Sequence, residues 1–578
     1  MSTDYKGAAG HADVLTAGSD SRISFSDLTP WDSNYKGVTV GRVAAEHGAT
    51  IAVDALADDQ AGSGTMNASD VLHADNDELS QALINAADGV SGTFALEGAD
   101  GSGHVTQTVA ITDVGTATYE FGLAHDADSV DLTYRLTQVD IENGNVLTLS
   151  GVAGDASGNN KDSILSAFVT GSGDIEVSGN TVRLTNSGNS YSGSTTVQNG
   201  ATLYAQVNTL GKTNLLDVLG TAYVDDNEVD VLNVGKTGTL HLTGDLTIDG
   251  GAASVSVSSI DGKVLGSGGL RLNAGTLTVS SNNAGVSGYT GTVTLSGTLN
   301  FADNANLGTG VITMAGTGAA INIAVSGTEV MTNTVTSSGD GIGAISVSGT
   351  NAAADSFAFA SDQRSGAFTG TLTLTNVAYN FGSSGNNHLA SATMHVNGGA
   401  QINIIDAAGA ENNLLGGLAL NGGGIDFGTA AGQINLQNAG SLTLAQAGTT
   451  FEVDSNLSAI ENDTGSAAFG SNESVTLIAG IANAGALTND ALNSAITVSG
   501  DGTSISRDIQ QKNFTDKDAK TVATLSGGFA DEALQLSGSN LNLNLDFETL
   551  TLQADDGIGY RIDKSGPISY QIDGKGDL

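Results

Sequence analysis

Cysteine is absent from the 578 residues, and proline occurs only at Pro30 and Pro567. No disulfide framework can hold this chain, and almost nothing in it removes a backbone donor from a strand ladder. Charge is scarce at 14%, and basic charge is scarcer: 19 Lys and Arg stand against 62 Asp and Glu, a formal net charge of −43. Nucleic-acid binding rests on Lys and Arg at phosphates. With no basic patch and no cluster of aromatic and basic residues, no nucleic-acid partner is expected, and an anionic membrane surface would repel the chain. The opening stretch MSTDYKGAAGHAD has no apolar signal core. The C-terminus lacks the repeated amphipathic strands of a membrane barrel, so no direct membrane insertion is expected of these residues.

What is abundant is glycine, 80 residues of it, together with a repeat. From Ser187 the chain reads SGNSYSGSTTVQNGATLYAQVNTLG; from Asn283 it reads NAGVSGYTGTVTLSGTLNFADNANLG; from Arg364 it reads RSGAFTGTLTLTNVAYNFGSSGNNHLA. In each copy an aromatic residue (Tyr191, Tyr289, Phe368) is followed by a small hydroxyl residue, then Gly193, Gly291 or Gly370, then a Thr/Val/Leu strand. Apolar doublets recur at a finer period: Leu277/Val279, Leu299/Phe301, Ile321/Ile323 and Ile345/Val347, with Met394/Val396, Leu418/Leu420, Ile402/Ile404 and Ile425/Phe427 further on. Alternation within a doublet is the two-residue period of a strand with one buried face. Recurrence about every 22 to 24 residues is the length of one coil of a β-solenoid, in which stacking supplies the core that no single coil can close. At about 4.8 Å per coil, the whole chain would form a rod on the order of 120 Å long.

The aromatic-Ser/Thr-Gly step into a Thr/Val strand, followed by an Asn-Gly or Ser-Gly turn and a second short strand, resembles the passenger-associated β-strand repeat of bacterial autotransporters. The wider chain is similar to AIDA-type or antigen-43-like passengers. That resemblance implies a right-handed parallel β-solenoid (β-helix), all β, with capped ends and short loop or helical excursions. It implies a passenger exported through the outer membrane, shown at the cell surface or secreted, and separated here from its translocating parts. The expected work is noncatalytic adhesion, meaning homotypic cell-cell aggregation, biofilm formation and virulence by self-association of elongated passengers. An adhesin that stays monomeric and binds host glycans or extracellular-matrix proteins is the alternative, and a polysaccharide-cleaving enzyme on the same scaffold is a third reading.

Taken in order, residues 1–50, with Pro30-Trp31 and the only Trp, read as an N-terminal cap. Residues 51–451 read as the β-helix body, 452–554 as less regular C-terminal coils and 555–578 as a terminal hairpin or cap. Asn76–Gly89 predicts a helix, because Asn76 or Asp75 can cap it and Leu79, Leu83, Ile84 and Ala87 share a face. Beyond Glu452, ALTNDALNSAI and SRDIQQKNFTDKDAKT read as irregular or briefly helical.

No serine-protease or hydrolase motif accompanies the many Ser and Thr, and a triad would need His and a carboxylate converging on one of them. The eight His are scattered; His388 and His395 lack a third ligand at fixed spacing, and His241 should point outward between Leu240 and Leu242. Paired acids such as Asp58/Asp59, Asp225/Asp226, Asp516/Asp518 and Asp555/Asp556 could flank a glycosidic bond, but adjacent acids in so acidic a chain are ordinarily solvated turn residues. The basic side chains that would steady developing negative charge cluster only at Lys512, Lys517 and Lys520. No cofactor and no catalytic residue is expected. Turns such as Val224–Asp230 offer hard oxygens for weak calcium binding, without the repeat array of a calcium-dependent β-roll. The acidic loop Asp225, Asp226 and Glu228, with Asn227 inside it, is the candidate contact for a partner; a solvated turn is the plainer reading of the same residues.

Overall fold

The computed structural model describes residues 12–25, 37–53, 65–66, 68, 71–74, 79–251, 257–281, 288–302, 305–359, 368–381, 389–404, 414–427, 433–437, 439–453, 472–500, 509–515, 521–552 and 571–574. The described residues are nearly all β, with very little helix, in long parallel ladders, so the repeat builds a parallel β-solenoid and not a stack of helices. Two compact units divide the chain, Met1–Arg271 and Leu272–Leu578.

In the first unit the coil pattern already begins at Ala12. Ala12–Ala17 pairs in parallel with Val38–Ala45, which pairs in parallel with Leu79–Ala86, while Arg22–Phe25, Thr50–Val53 and Ala95–Leu96 form a second ladder beside it. Leu79–Ala86 is a strand, against the helix expected over Asn76–Gly89; Asp75 and Asn76 lie outside the described residues. A shift in its antiparallel pairing with Ser129–Ile141 explains the misreading. Val130 sits opposite Ile84 and Asp131 opposite Ala82, so Leu83 is the extra residue of a bulge, and both Leu83 and Ile84 are buried. A bulge places two successive apolar residues on one side, which imitates helical spacing.

Val105–Ile111, Gly115–His125 and Ser129–Ile141 then run antiparallel to one another, interrupting the parallel coils expected throughout 51–451. From Val146 the regular ladders take over. Val146–Ser150, Asp174–Gly179, Thr195–Val197, Leu215–Val218, Val231–Val234 and Val257–Ile260 follow one another in parallel, and Thr181–Leu184, Thr202–Ala205, Thr221–Val224, Thr239–Leu242 and Lys263–Gly266 form the next ladder round each coil.

The second unit repeats the plan. Leu277/Val279, Leu299/Phe301, Ile321/Ile323 and Ile345/Val347 stand in register as expected, and Met394/Val396 and Leu418/Leu420 continue that column. Ile402 and Ile425 pair in another ladder of the same coils. All of these side chains are buried, each contributing on the order of 1.5–3 kcal/mol through loss of apolar surface.

The aromatic of the repeat enters the core: Tyr191, Tyr289 and Phe368 are fully buried. Its glycine is dictated by coil spacing. A Cβ at Gly193 would stand 2.1 Å from the Gly173 carbonyl oxygen, and one at Gly370 would stand 2.0 Å from that of Gly343. The Leu-Gly that ends the first two copies closes the coil, because the next N–H, of Lys212 or Thr309, donates to the carbonyl of Tyr191 or Tyr289 at 2.8 and 3.1 Å.

Toward the C-terminus the pattern turns antiparallel. Asn540–Leu552 pairs with Asn472–Ala479 and Thr521–Ser537, and the latter with Ile509–Thr515, a strand where irregular text was expected. The stretch ALTNDALNSAI, read as irregular or briefly helical, holds the helix Asn489–Ala495, with Thr488 accepting from the Ala491 N–H at its start. Its Asn493 exchanges two hydrogen bonds with the Leu534 backbone, and Asn483 does the same with Leu442. Side-chain amides thus occupy strand edges that would otherwise invite unwanted pairing. Of the terminal hairpin expected over 555–578, Gln571–Gly574 is described, paired in parallel with Asn540–Leu552.

Candidate functional site

Alternation leaves one side chain in two facing outward, and the ladders line these up. In the second unit, Thr276–Val279, Thr298–Phe301, Ala320–Ala324, Ala344–Ser348, Thr371–Thr375 and Thr393–Asn397 pair in strict register. One outward column is Thr278, Asn300, Asn322, Ser346, Thr373 and His395; its neighbour is Thr276, Thr298, Ala320, Ala344, Thr371 and Thr393. Neither column contains Asp, Glu, Lys or Arg. In the equivalent outward positions of the first unit, Asp174, Glu176 and Asp217 stand among the uncharged Thr196, Asn233 and Ser259, so acids interrupt the columns there.

Amides tie the face together along the coil direction. Asn322 Nδ2 donates to Asn300 Oδ1 at 2.9 Å, and at the border of the face Asn421 Nδ2 donates to Asn397 Oδ1 at 2.9 Å while Asn397 Nδ2 donates to Thr375 Oγ1 at 3.1 Å. An amide carries two N–H donors and an oxygen with two lone pairs, so the Asn322–Asn300 bond leaves further donor and acceptor capacity for water or a partner. The result is a grid made mostly of hydroxyl and amide groups, with Ala320, Ala344 and His395 among them, repeated at the rise of one coil on a fixed backbone. Its chemistry is hydrogen bonding without charge.

The sequence-predicted contact lies in the first unit, and most of its polar capacity is spent on the corner it forms. Asp226 takes a left-handed φ of 28° and its Oδ1 accepts the Asp245 N–H at 2.7 Å. Asp245 repeats the move one coil on, accepting the Gly269 N–H at 2.9 Å, and holds Arg271 at 3.0 Å. Asn227 is buried; its Oδ1 accepts the Leu210 N–H at 3.0 Å and its Nδ2 donates to the Gln206 carbonyl at 2.8 Å. Asp225 is half-buried, and Asp226 and Glu228 are exposed. Thus the three acids are close together, but Asp226 serves as a corner brace. Glu228 is the one most available to a partner.

Beside that loop the structure brings together residues that the sequence reading did not connect. Thr202–Ala205, Thr221–Val224 and Thr239–Leu242 present Tyr204, Tyr223 and His241 outward in register. Their rings stack with centroids 4.5 and 4.4 Å apart, and the Arg183 guanidinium lies 4.5 Å over the Tyr204 ring. His241 faces outward as expected, and partial burial pushes its imidazole below the usual value. The faces of these rings are used against one another, so the stack braces the ladder. Aligning TLYA, TAYV and TLHL by their buried second and fourth residues would have revealed it.

His395 stands alone in the uncharged column; His388, Asp58/Asp59, Asp516/Asp518, Asp555/Asp556, Lys517 and Lys520 lie outside the described residues. Among the described residues no three His, Asp or Glu side chains gather closely enough to hold a metal ion. Compared with protein-family models, with curated proteins and with solved structures, the chain finds no match.

Proposed function

We propose that the chain is a noncatalytic adhesive surface of a bacterial surface protein, which holds cells together by pairing with a second copy of itself through the uncharged hydroxyl and amide columns of the second unit. One observation carries the reading: in a chain of net charge −43, two adjoining columns six coils long carry no acidic side chain. Two such chains repel wherever acids meet, since like-charge juxtaposition costs several kcal/mol. They repel least where this face meets its copy. Each hydrogen bond across it is worth little alone, but a row of them on rigid backbones engages together, and effective concentration turns weak contacts into avidity. The resemblance to autotransporter passengers supports the same reading, with display outside the outer membrane.

The test introduces charge on the grid. Beads coated with the chain should clump, and a double substitution Asn322→Asp with Ser346→Asp should weaken clumping about tenfold or more, because every substitution meets the partner's like charge. Glu228→Lys should leave clumping within about twofold. Undiminished clumping of the double variant, with its circular dichroism unchanged, rules out this face. Strong loss from Glu228→Lys would return the contact to the acidic loop. A chain that never clumps yet coats matrix proteins would be the one-way adhesin.

A further inference from the structure

In the first unit the parallel ladder of Arg22–Phe25, Thr50–Val53 and Ala95–Leu96 stops, and the antiparallel strands from Val105 onward begin. The side chains of one set do not continue the columns of the other. Between them lies a pocket of about 260 Å³, partly open to solvent, walled by Val53, Leu96, Val105, Phe121 and Leu132, with Glu97, Thr106 and Gln107 as its polar lining. Gln107 is placed by pairing: Val105 stands opposite Phe121 and Gln107 opposite Tyr119, so Val105 and Gln107 share the face of those buried rings.

Two of the lining residues, Glu97 and Gln107, carry acceptor oxygens, and these differ. The Glu97 carboxylate is occupied by the Arg22 Nε at 2.8 Å. Gln107 Oε1 is shielded from solvent and has no hydrogen-bond partner among the described residues. A buried acceptor without its bond is costly, and native proteins rarely leave one. Small-molecule sites are recognised by this combination of apolar walls and a small number of polar groups.

We infer that this cavity binds a small, uncharged, mostly apolar ring compound carrying one hydrogen-bond donor, with the donor directed at Gln107 Oε1. Size sets the upper bound. A dry apolar cavity of about 150 Å³ accepts benzene, so 260 Å³ admits a fused bicyclic ring. Charge sets the chemistry: an anion would meet Glu97, and a cation would have to compete with Arg22 for it.

Calorimetry on the full chain with indole and with indene tests the inference, because the two share a ring frame and only indole has an N–H. The expected result is saturable one-to-one binding of indole, about tenfold tighter than indene, the difference coming from the bond to Gln107. Gln107→Leu should bring the two to parity. Val105→Phe should fill the space and abolish binding of both, with melting curves confirming that each variant folds. Failure of indole to saturate, parity of the two compounds on the unsubstituted chain, or a preference that survives Gln107→Leu would each overturn the assignment. The wild-type comparison decides the matter even if a variant does not fold. None of these outcomes depends on whether the chain pairs with itself.

Discussion

Single residues hold the corners of this solenoid, and they do so with polar atoms. Asp355 is the clearest case: it is buried, and its carboxylate accepts the Gly327 N–H at 2.8 Å, the Thr350 hydroxyl at 2.7 Å and the Thr350 and Asn351 N–H groups at 2.6 and 3.1 Å. Those bonds, the Gly327 one foremost, hold its carboxyl far below the usual carboxylate range. A depressed carboxylate binds protons more weakly folded than unfolded, so its stabilisation is complete above the unfolded value of about 3.9 and is lost as pH falls below it. Asp355→Asn should therefore melt lower than the parent at neutral pH, with the gap narrowing as pH falls from about 4 to 2. A constant gap across that range in circular-dichroism melts would contradict the account. Glycine offers a second contrast within the same unit. Gly370→Ala forces a methyl group onto the Gly343 carbonyl, whereas a Cβ at Gly398 meets nothing within 4 Å. The first should cost about 1–3 kcal/mol in urea unfolding and the second less than about 0.5 kcal/mol.

At the scale of elements, the ladders decide what local sequence cannot. The doublets and the aromatic-hydroxyl-Gly repeat were legible because each coil repeats the same burial problem at nearly the same length. The strand Leu79–Ala86 was not, since its bulge at Leu83 reproduces a helical spacing. The antiparallel direction of the run from Val105 to Ile141 is not legible either: antiparallel and parallel strands with one buried face share the same alternation, and pairing direction leaves no mark on it. The outward stack required register. Tyr204, Tyr223 and His241 lie 18 to 19 residues apart, about one coil, and only stacking makes them neighbours. Tyr223→Ala removes both ring contacts and should destabilise by about 2 kcal/mol in urea unfolding, while Tyr223→Phe, which keeps the ring, should cost under about 0.5 kcal/mol. Equal effects of the two would show that the hydroxyl, and not the stack, matters. The uncharged grid was half legible: its Thr-x-Thr and Thr-x-Asn steps are plain in sequence, but its continuity across coils appears only when the strands are laid in register.

For the whole molecule, charge and surface act against each other. A net charge of −43 keeps chains apart at a distance, and in the proposed pairing the neutral face supplies contact once they are close. This makes the sign of the salt effect diagnostic. If acids were bridged to basic groups or to cations, added salt would weaken pairing. If the contact is the uncharged grid, added salt only shortens the range of repulsion, from a Debye length of about 30 Å at 0.01 M to about 3 Å at 1 M, and pairing strengthens. Sedimentation velocity of the purified chain over micromolar concentrations, at low and high sodium chloride and with a chelator present, measures this directly. A concentration-dependent dimer that becomes tighter as salt rises, and that Asn322→Asp with Ser346→Asp abolishes, is the predicted result. A chain that stays monomeric under every condition, or a dimer that salt dissolves, would contradict self-association through this face.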